Sequence, residues 1–291
     1  MLDSAIEKLA ALNLISTSNK SIKKLLKKWP WLFWRLKFWK QRVSIKHEKE
    51  MLLLPILANQ QYDSIDVGAS SGLYSLALVP LSRKVIAFEP RTNAVQDLIE
   101  ITQALKLPIE IKIFALSNQA GEAEMRMLKH DLGRSTIAQE NTLMDPDGSP
   151  INIALVQTKT LDSFFFSKIG FIKIDVEGHE MSVLEGARQT IANNRCNLLL
   201  EMEERHCPGV ILHAKKWMKE KGYVGFFFEE NRLMDIELFD PVLSQNPENI
   251  GGWKEKWRLK GKYINNFIFV PSENKREFLK KLRSRGFGHA F

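Results

Sequence analysis

The chain has 291 residues, of which 44% are hydrophobic, 26% charged and 10% aromatic. This composition excludes wholesale disorder and collagen-like or coiled-coil classes and is ample for a large core. Its net charge is +8, but ten Lys or Arg and no Asp or Glu lie between Lys20 and Lys46, so the rest of the chain carries the difference between +8 and +10, a net −2; the charge marks one basic segment and gives no ground for nucleic-acid binding. Cys196 and Cys207 form neither a metal-ligand pair nor a disulfide framework. No stretch approaches the ~18 uninterrupted apolar residues of a spanning helix. The N-terminus carries acids early and lacks the basic start and small-residue cleavage site of a secretory signal. These traits lead us to expect a cytoplasmic protein, peripheral at the inner membrane surface at most.

Residues 1–55 lack strand signals and read as a helical extension. Leu25, Trp29, Leu32, Leu36, Trp39 and Val43 recur at steps of three or four and form one apolar face. Pro30 should break or kink it. Residues 56–291 read as one α/β domain. Strands are expected at 62–67, 84–88, 109–114, 170–176, 197–202, 223–228 and 265–270, with helices at about 72–80, 91–106, 179–193 and 209–221. Short apolar strands between helices imply a largely parallel sheet covered on both faces. The connection from about 118 to 168 is too long for a loop. EAEMRML and ALVQTKTL within it should add strands, with GRSTI and DPDGS as turns.

The strongest signal is IDVGASSGLYS. A buried strand runs into small residues and then directly into a helix, so the backbone can approach a ligand closely. About twenty residues later the second strand ends in FEP. Glu89 there is placed to accept both hydroxyls of an adenosine ribose at the carboxyl edge of the sheet. The middle glycine of a dinucleotide turn is absent, and Asp66 two positions before Gly68 would repel a pyrophosphate. That carboxylate suits the cationic amino-acid end of S-adenosylmethionine, which is favoured over NAD. Farther on, Lys173 and Asp175 project from the same face of a buried strand. Such charges need partners, and the pair reads equally as a site or as a structural ion pair.

IDVGASSGLYS, AFEP, ALSNQAGEAEM, GRSTI, KTLDSF, IKIDVEGHEMSVLEGA and LLLEMEERH follow one another in the order and spacing of the FkbM-type methyltransferase family, which the chain resembles over about residues 60–210. The resemblance implies a class I, Rossmann-like fold with a seven-stranded sheet whose last strand is antiparallel. It implies an S-adenosylmethionine-dependent O-methyltransferase, with a saccharide or glycoconjugate hydroxyl as the leading acceptor. Asp66, Gly68, Ala69 and Gly72 match the family's glycine-turn motif, Glu89 its ribose acid, and Ser117 the strand end that lines the adenine. Asp175 matches the acid beside the transferring methyl, and Glu201 and His206 border the same cleft.

A sugar hydroxyl needs a base, and His206 and Asp175 are the candidates for catalysis. For His179, at a helix start, a capping role is expected. A divalent metal on Asp175 with Glu177 or Glu201 would also acidify the hydroxyl, although the spacing does not require one. Competing readings are a small natural product or a protein as acceptor, or a non-catalytic nucleoside-binding scaffold tethered by its N-terminal arm. Residues 20–46 combine a Leu/Trp/Phe face with cations, which suits either a membrane interface or packing on protein, a second subunit included.

Overall fold

Asp63–Val67 (β1) is buried along its whole length because it lies inside a sheet, between Val85–Phe88 (β2) and Ile169–Ile174 (β8), both parallel to it. The computed structural model describes residues 49–129, 131–143, 148, 150–229, 232–251 and 259–290. Ile109–Lys112 (β3) extends the sheet beyond β2. Beyond β8 follow Asn197–Glu201 (β9), Asn266–Pro271 (β12), Tyr223–Glu229 (β10), Arg232–Asp235 (β11) and Gly288–Ala290 (β13). All seven expected strands are present, and β12 runs antiparallel to both β9 and β10. The sheet has nine strands among the described residues rather than seven. β11 pairs with the outer edge of β10, and β13 pairs with β11, which covers backbone groups that an edge strand would leave open.

The long connection forms a second sheet of Ala115–Leu116 (β4), Gly121–Leu128 (β5), Asp131–Thr136 (β6) and Ile151–Lys159 (β7), in the order β4-β7-β5-β6. GRSTI, expected as a turn, lies largely in β6, where Ser135 and Thr136 pair with Met127 and Arg126 of β5.

Leu54–Leu57 (α1), Leu73–Leu78 (α2), Thr92–Leu105 (α3) and Lys275–Ser284 (α8) pack on one face of the large sheet, with Leu54, Leu76, Leu98 and Leu282 in the core. Glu180–Glu185 (α4), Arg188–Asn194 (α5) and Val210–Glu220 (α6) cover the other, through Val183, Ile191 and Met218. A further short helix, Pro241–Ser244 (α7), follows β11. The single helix expected over 179–193 is broken at Gly186. A Cβ there would lie 2.0 Å from the Ser117 carbonyl oxygen, and the Asp162 carboxylate accepts from the Gln189 and Thr190 N–H groups at the start of α5. KREFLKKLRS, a basic run at residues 275–284, folds as α8 because Phe278 and Leu282 are buried on one side of it.

The arm at 20–46 and the helical reading of residues 1–48 lie outside the described residues, as does most of DPDGS. Among the described residues no helix is long and apolar enough to cross a membrane.

Candidate active site

Chain order reverses at β1, since β2 lies on one side of it and β8 on the other. Open α/β sheets bind ligands at the carboxyl ends of strands at such a point. β1 ends in Gly68, whose φ of +81° is joined to a close approach: a Cβ would sit 1.8 Å from the Asp175 carbonyl oxygen. Only glycine lets the ends of β1 and β8 lie this close. At Gly72 (φ +87°) a Cβ would come 2.5 Å from Leu98 Cδ1, so this glycine seats α2 against α3. The Gly68 and Ala69 N–H groups both donate to the Phe88 carbonyl, which pins the turn to the end of β2.

Glu89 is 2% exposed. Its Oε2 accepts from the Ser70 N–H at 3.0 Å and from Arg91 Nη2 at 2.9 Å. Its Oε1 accepts from the Arg91 N–H at 3.1 Å and from Arg91 Nε at 2.7 Å. The four acceptor positions of the carboxylate are thereby engaged, two of them by one guanidinium. The Arg91 clamp was not foreseen, and its only sequence signal is the arginine two places after the acid.

Parallel register puts Asp66 of β1 beside Lys173 of β8. Lys173 Nζ donates to Asp175 Oδ2 at 2.8 Å and lies 4.3 Å from the centre of the Tyr74 ring. Burial alone would lower this ammonium's pKa; the charges of Asp175, Asp66 and Glu201 outweigh it and raise it. Asp66 is buried beneath the turn rather than open to the cleft. Its Oδ2 accepts from Ser75 Oγ at 2.6 Å, and burial raises its pKa against the pull of Lys173 and Ser75. Burial and the Asp175 charge likewise push Glu201 well up; it accepts from Asn265 Nδ2 at 2.6 Å.

After β8 the chain turns through Glu177 (φ +53°) and Gly178 (φ +100°). A Cβ on Gly178 would lie 3.1 Å from that of His206, so the turn packs on His206. The Asn141 side chain donates to the Glu177 carbonyl at 2.7 Å. Glu177 Oε2 and His206 Nε2 face each other at 3.2 Å, and neither atom has a hydrogen-bond partner among the described residues. Glu203 is the third member of this group: its carboxylate, one oxygen of Glu177 and one nitrogen of His206 lie within 4.8 Å of one another. Burial, with Asp175 and Glu203 nearby, pushes Glu177 up to about 8. Burial pushes His206 down to about 4, against the attraction of Glu203. It would raise Glu203 as well, but Arg205, His206 and Tyr263 hold that carboxyl down at about 2.

Val67, Gly68, Ser70, Phe88 and Glu89 line one side of the cleft and Asp175, Val176, Glu177 and His179 the other. Phe114, Leu116, Met125 and Ile137, from the second sheet and its flanks, close it with an apolar wall. About 700 Å³ inside is free of protein atoms, part of it open to solvent. Of the expected residues, Gly68, Glu89 and Asp175 border the cleft, whereas Asp66, Ala69, Gly72 and Ser117 support its walls. His206 is 3% exposed and stands behind Glu177, so its side chain is not free to reach an acceptor. His179, expected as a cap, makes no capping bond; its Nε2 meets Ser117 Oγ at 2.9 Å and its ring borders the cleft. Sequence reasoning missed Glu203, whose place depends on the turn after β9.

Residues 66–224 match the family described as methyltransferase FkbM domain. Among solved structures, the chain is similar to the methyltransferase FkbM of Methylobacillus flagellatus at 15% identity and a TM-score of 0.49, covering 92% of this chain and 59% of that one. It therefore spans less than two thirds of that protein. It is also similar to an rRNA methylase of Streptococcus thermophilus, at 12% identity and a TM-score of 0.42 over 76% of this chain and 91% of that one. A third similarity is to SMU.1697c of Streptococcus mutans, solved in complex with SAH, at 9% identity and a TM-score of 0.43 over 76% and 94%. A search of curated proteins finds no match.

Proposed function

The chain belongs to the family of methyltransferase FkbM domains, and from that premise we propose that it transfers a methyl group from S-adenosylmethionine to a hydroxyl, with a saccharide or glycoconjugate as acceptor. One observation carries the donor half. An acid, Glu89, and a glycine turn, Gly68, meet at the point where strand order reverses, beside an apolar wall that includes Phe88, Phe114 and Leu116. The base stacks against Phe88, Phe114 and Leu116. The ribose hydroxyls take the positions on Glu89 that the Arg91 guanidinium holds in the free protein, so donor binding moves that side chain.

The methionine end then lies toward Asp175. The acceptor oxygen attacks the methyl carbon in line with the departing sulfur. An O–C bond forms, and the C–S bond breaks with its electron pair going to sulfur, leaving neutral S-adenosylhomocysteine. The hydroxyl proton passes to Asp175, which lines the cleft and is 29% exposed although Lys173 holds one of its oxygens. Collinear positioning supplies much of the rate, and proton removal a further ~10²–10⁴-fold.

Titration calorimetry tests the donor half. S-adenosylmethionine and S-adenosylhomocysteine should bind at micromolar concentration, NAD should not, and Glu89→Ala should abolish binding. Labelled-methyl transfer to a panel of sugars tests the acceptor half. Binding of NAD in preference to S-adenosylmethionine would overturn the reading.

A further inference from the structure

We propose that Glu177, Glu203 and His206 form a binding site for one divalent cation of the magnesium or manganese kind, at the acceptor end of the cleft. Three potential ligand atoms already converge within 4.8 Å. Glu177 Oε2 and His206 Nε2 are buried, point at one another across 3.2 Å and have no hydrogen-bond partner among the described residues. Leaving a buried polar atom unpaired costs ~1–3 kcal/mol, and a cation between the two would satisfy both. The His206 side chain is 4% exposed.

Glu203 has capacity left for such a role. Arg205 Nε and Tyr263 Oη both donate to its Oε2, and Arg205 Nη2 donates to Oε1 at 3.1 Å. Three of its four acceptor positions are used, and the remaining one is on Oε1. Carboxylates outnumber cations around it: Asp66, Asp175, Glu177, Glu201 and Glu203 stand against Lys173, Arg134 and Arg205 among the described residues. The unusual backbone at Glu177, a non-glycine residue at φ +53°, is held by Asn141 and by the packing of Gly178 on His206. Strain of this kind persists where a site over-determines it.

The two carboxylates suit Mg²⁺ or Mn²⁺, which keep several water positions open, and the imidazole favours Mn²⁺ of the two. Glu177 lines the cleft next to Asp175, so those positions face the acceptor. The cation would hold the hydroxyl oxygen and weaken its O–H bond, while Asp175 accepts the proton. This role rests on the methyl-transfer reading; the binding site itself does not.

The test uses the full chain, treated with chelator and titrated with Mn²⁺ alone. One equivalent should bind, and pulsed EPR should detect nitrogen coupling from an imidazole. Glu177→Gln and His206→Gln should each weaken binding at least tenfold, and His206→Gln should erase the nitrogen coupling. Glu124→Gln, at an exposed position on β5, should change neither. Thermal unfolding checks that the variants fold; if one does not, nitrogen coupling in the unaltered protein decides. Absence of bound Mn²⁺ at millimolar concentration overturns the inference, as does binding that lacks nitrogen coupling. S-adenosylhomocysteine binding in the same preparation separates the two readings: donor binding without Mn²⁺ sinks the cation site alone, whereas Mn²⁺ binding without the donor supports the site and undermines methyl transfer.

Discussion

Glu180 opens α4 immediately after the Glu177–His179 turn. Its Oε1 accepts from the Gly178 N–H at 2.9 Å, while its Oε2 is buried without a partner among the described residues. Burial, against the opposing bond from Gly178, pushes its pKa from 4.5 up to about 7. The folded chain therefore holds a proton that the unfolded chain has already released between pH 4.5 and 7. Stability contributed by the protonated group is fully present below pH 4.5 and is lost as pH rises through 7. At ~1.4 kcal/mol per pKa unit, the loss between pH 5 and pH 8 is ~3 kcal/mol. Glu180→Gln keeps an oxygen for Gly178 and cannot ionise. Urea unfolding of both proteins at pH 5 and pH 8 isolates the effect, because the titrating groups that Glu180 does not act on cancel in the comparison. The variant should gain ~3 kcal/mol on the unaltered protein between the two pH values. A difference that stays constant within ~0.5 kcal/mol, below the size of one lost hydrogen bond, would mean that Glu180 is ionised in the fold and that the environment assigned to it is wrong.

Glu89→Ala should remove S-adenosylhomocysteine binding in calorimetry. It should also lower the unfolding free energy by ~3–5 kcal/mol, because it strands the buried Arg91 guanidinium; unchanged affinity would exclude Glu89 from the nucleoside site. Gly68→Ala places a methyl 1.8 Å from the Asp175 carbonyl, so it should force β1 and β8 apart and abolish donor binding along with a clear fall in melting temperature. A variant that melts and binds normally would refute the close packing. Ser75→Ala takes from Asp66 Oδ2 its hydroxyl donor and should cost ~1–3 kcal/mol in urea unfolding at pH 8.

How much of this was legible in the sequence follows from how local the signals are. The seven main strands and the glycine turn could be read because apolar runs, small residues and an acid about twenty positions on are local patterns set by backbone geometry. Lys173 and Asp175 could be put on one face because strand alternation has a period of two. GRSTI reads as a turn in isolation and becomes a strand only because β5 offers it a partner. The break at Gly186 is invisible in a helical pattern, since it comes from the Ser117 carbonyl, sixty-nine positions earlier in the chain.

The same division runs through the site. The sequence alone determined that Gly68, Glu89 and Asp175 would stand at strand ends, because each directly follows or terminates a readable strand. Tertiary structure decided which acids face the cleft and which lie beneath it. Asp66 is covered by the turn that it precedes, and Glu89 is clamped by Arg91. His206 is drawn behind Glu177 by the packing of Gly178 against it. Sequence spacing fixes where a residue leaves the backbone; the burial and charge pairing that set its chemistry come from segments far away along the chain, brought together only by folding.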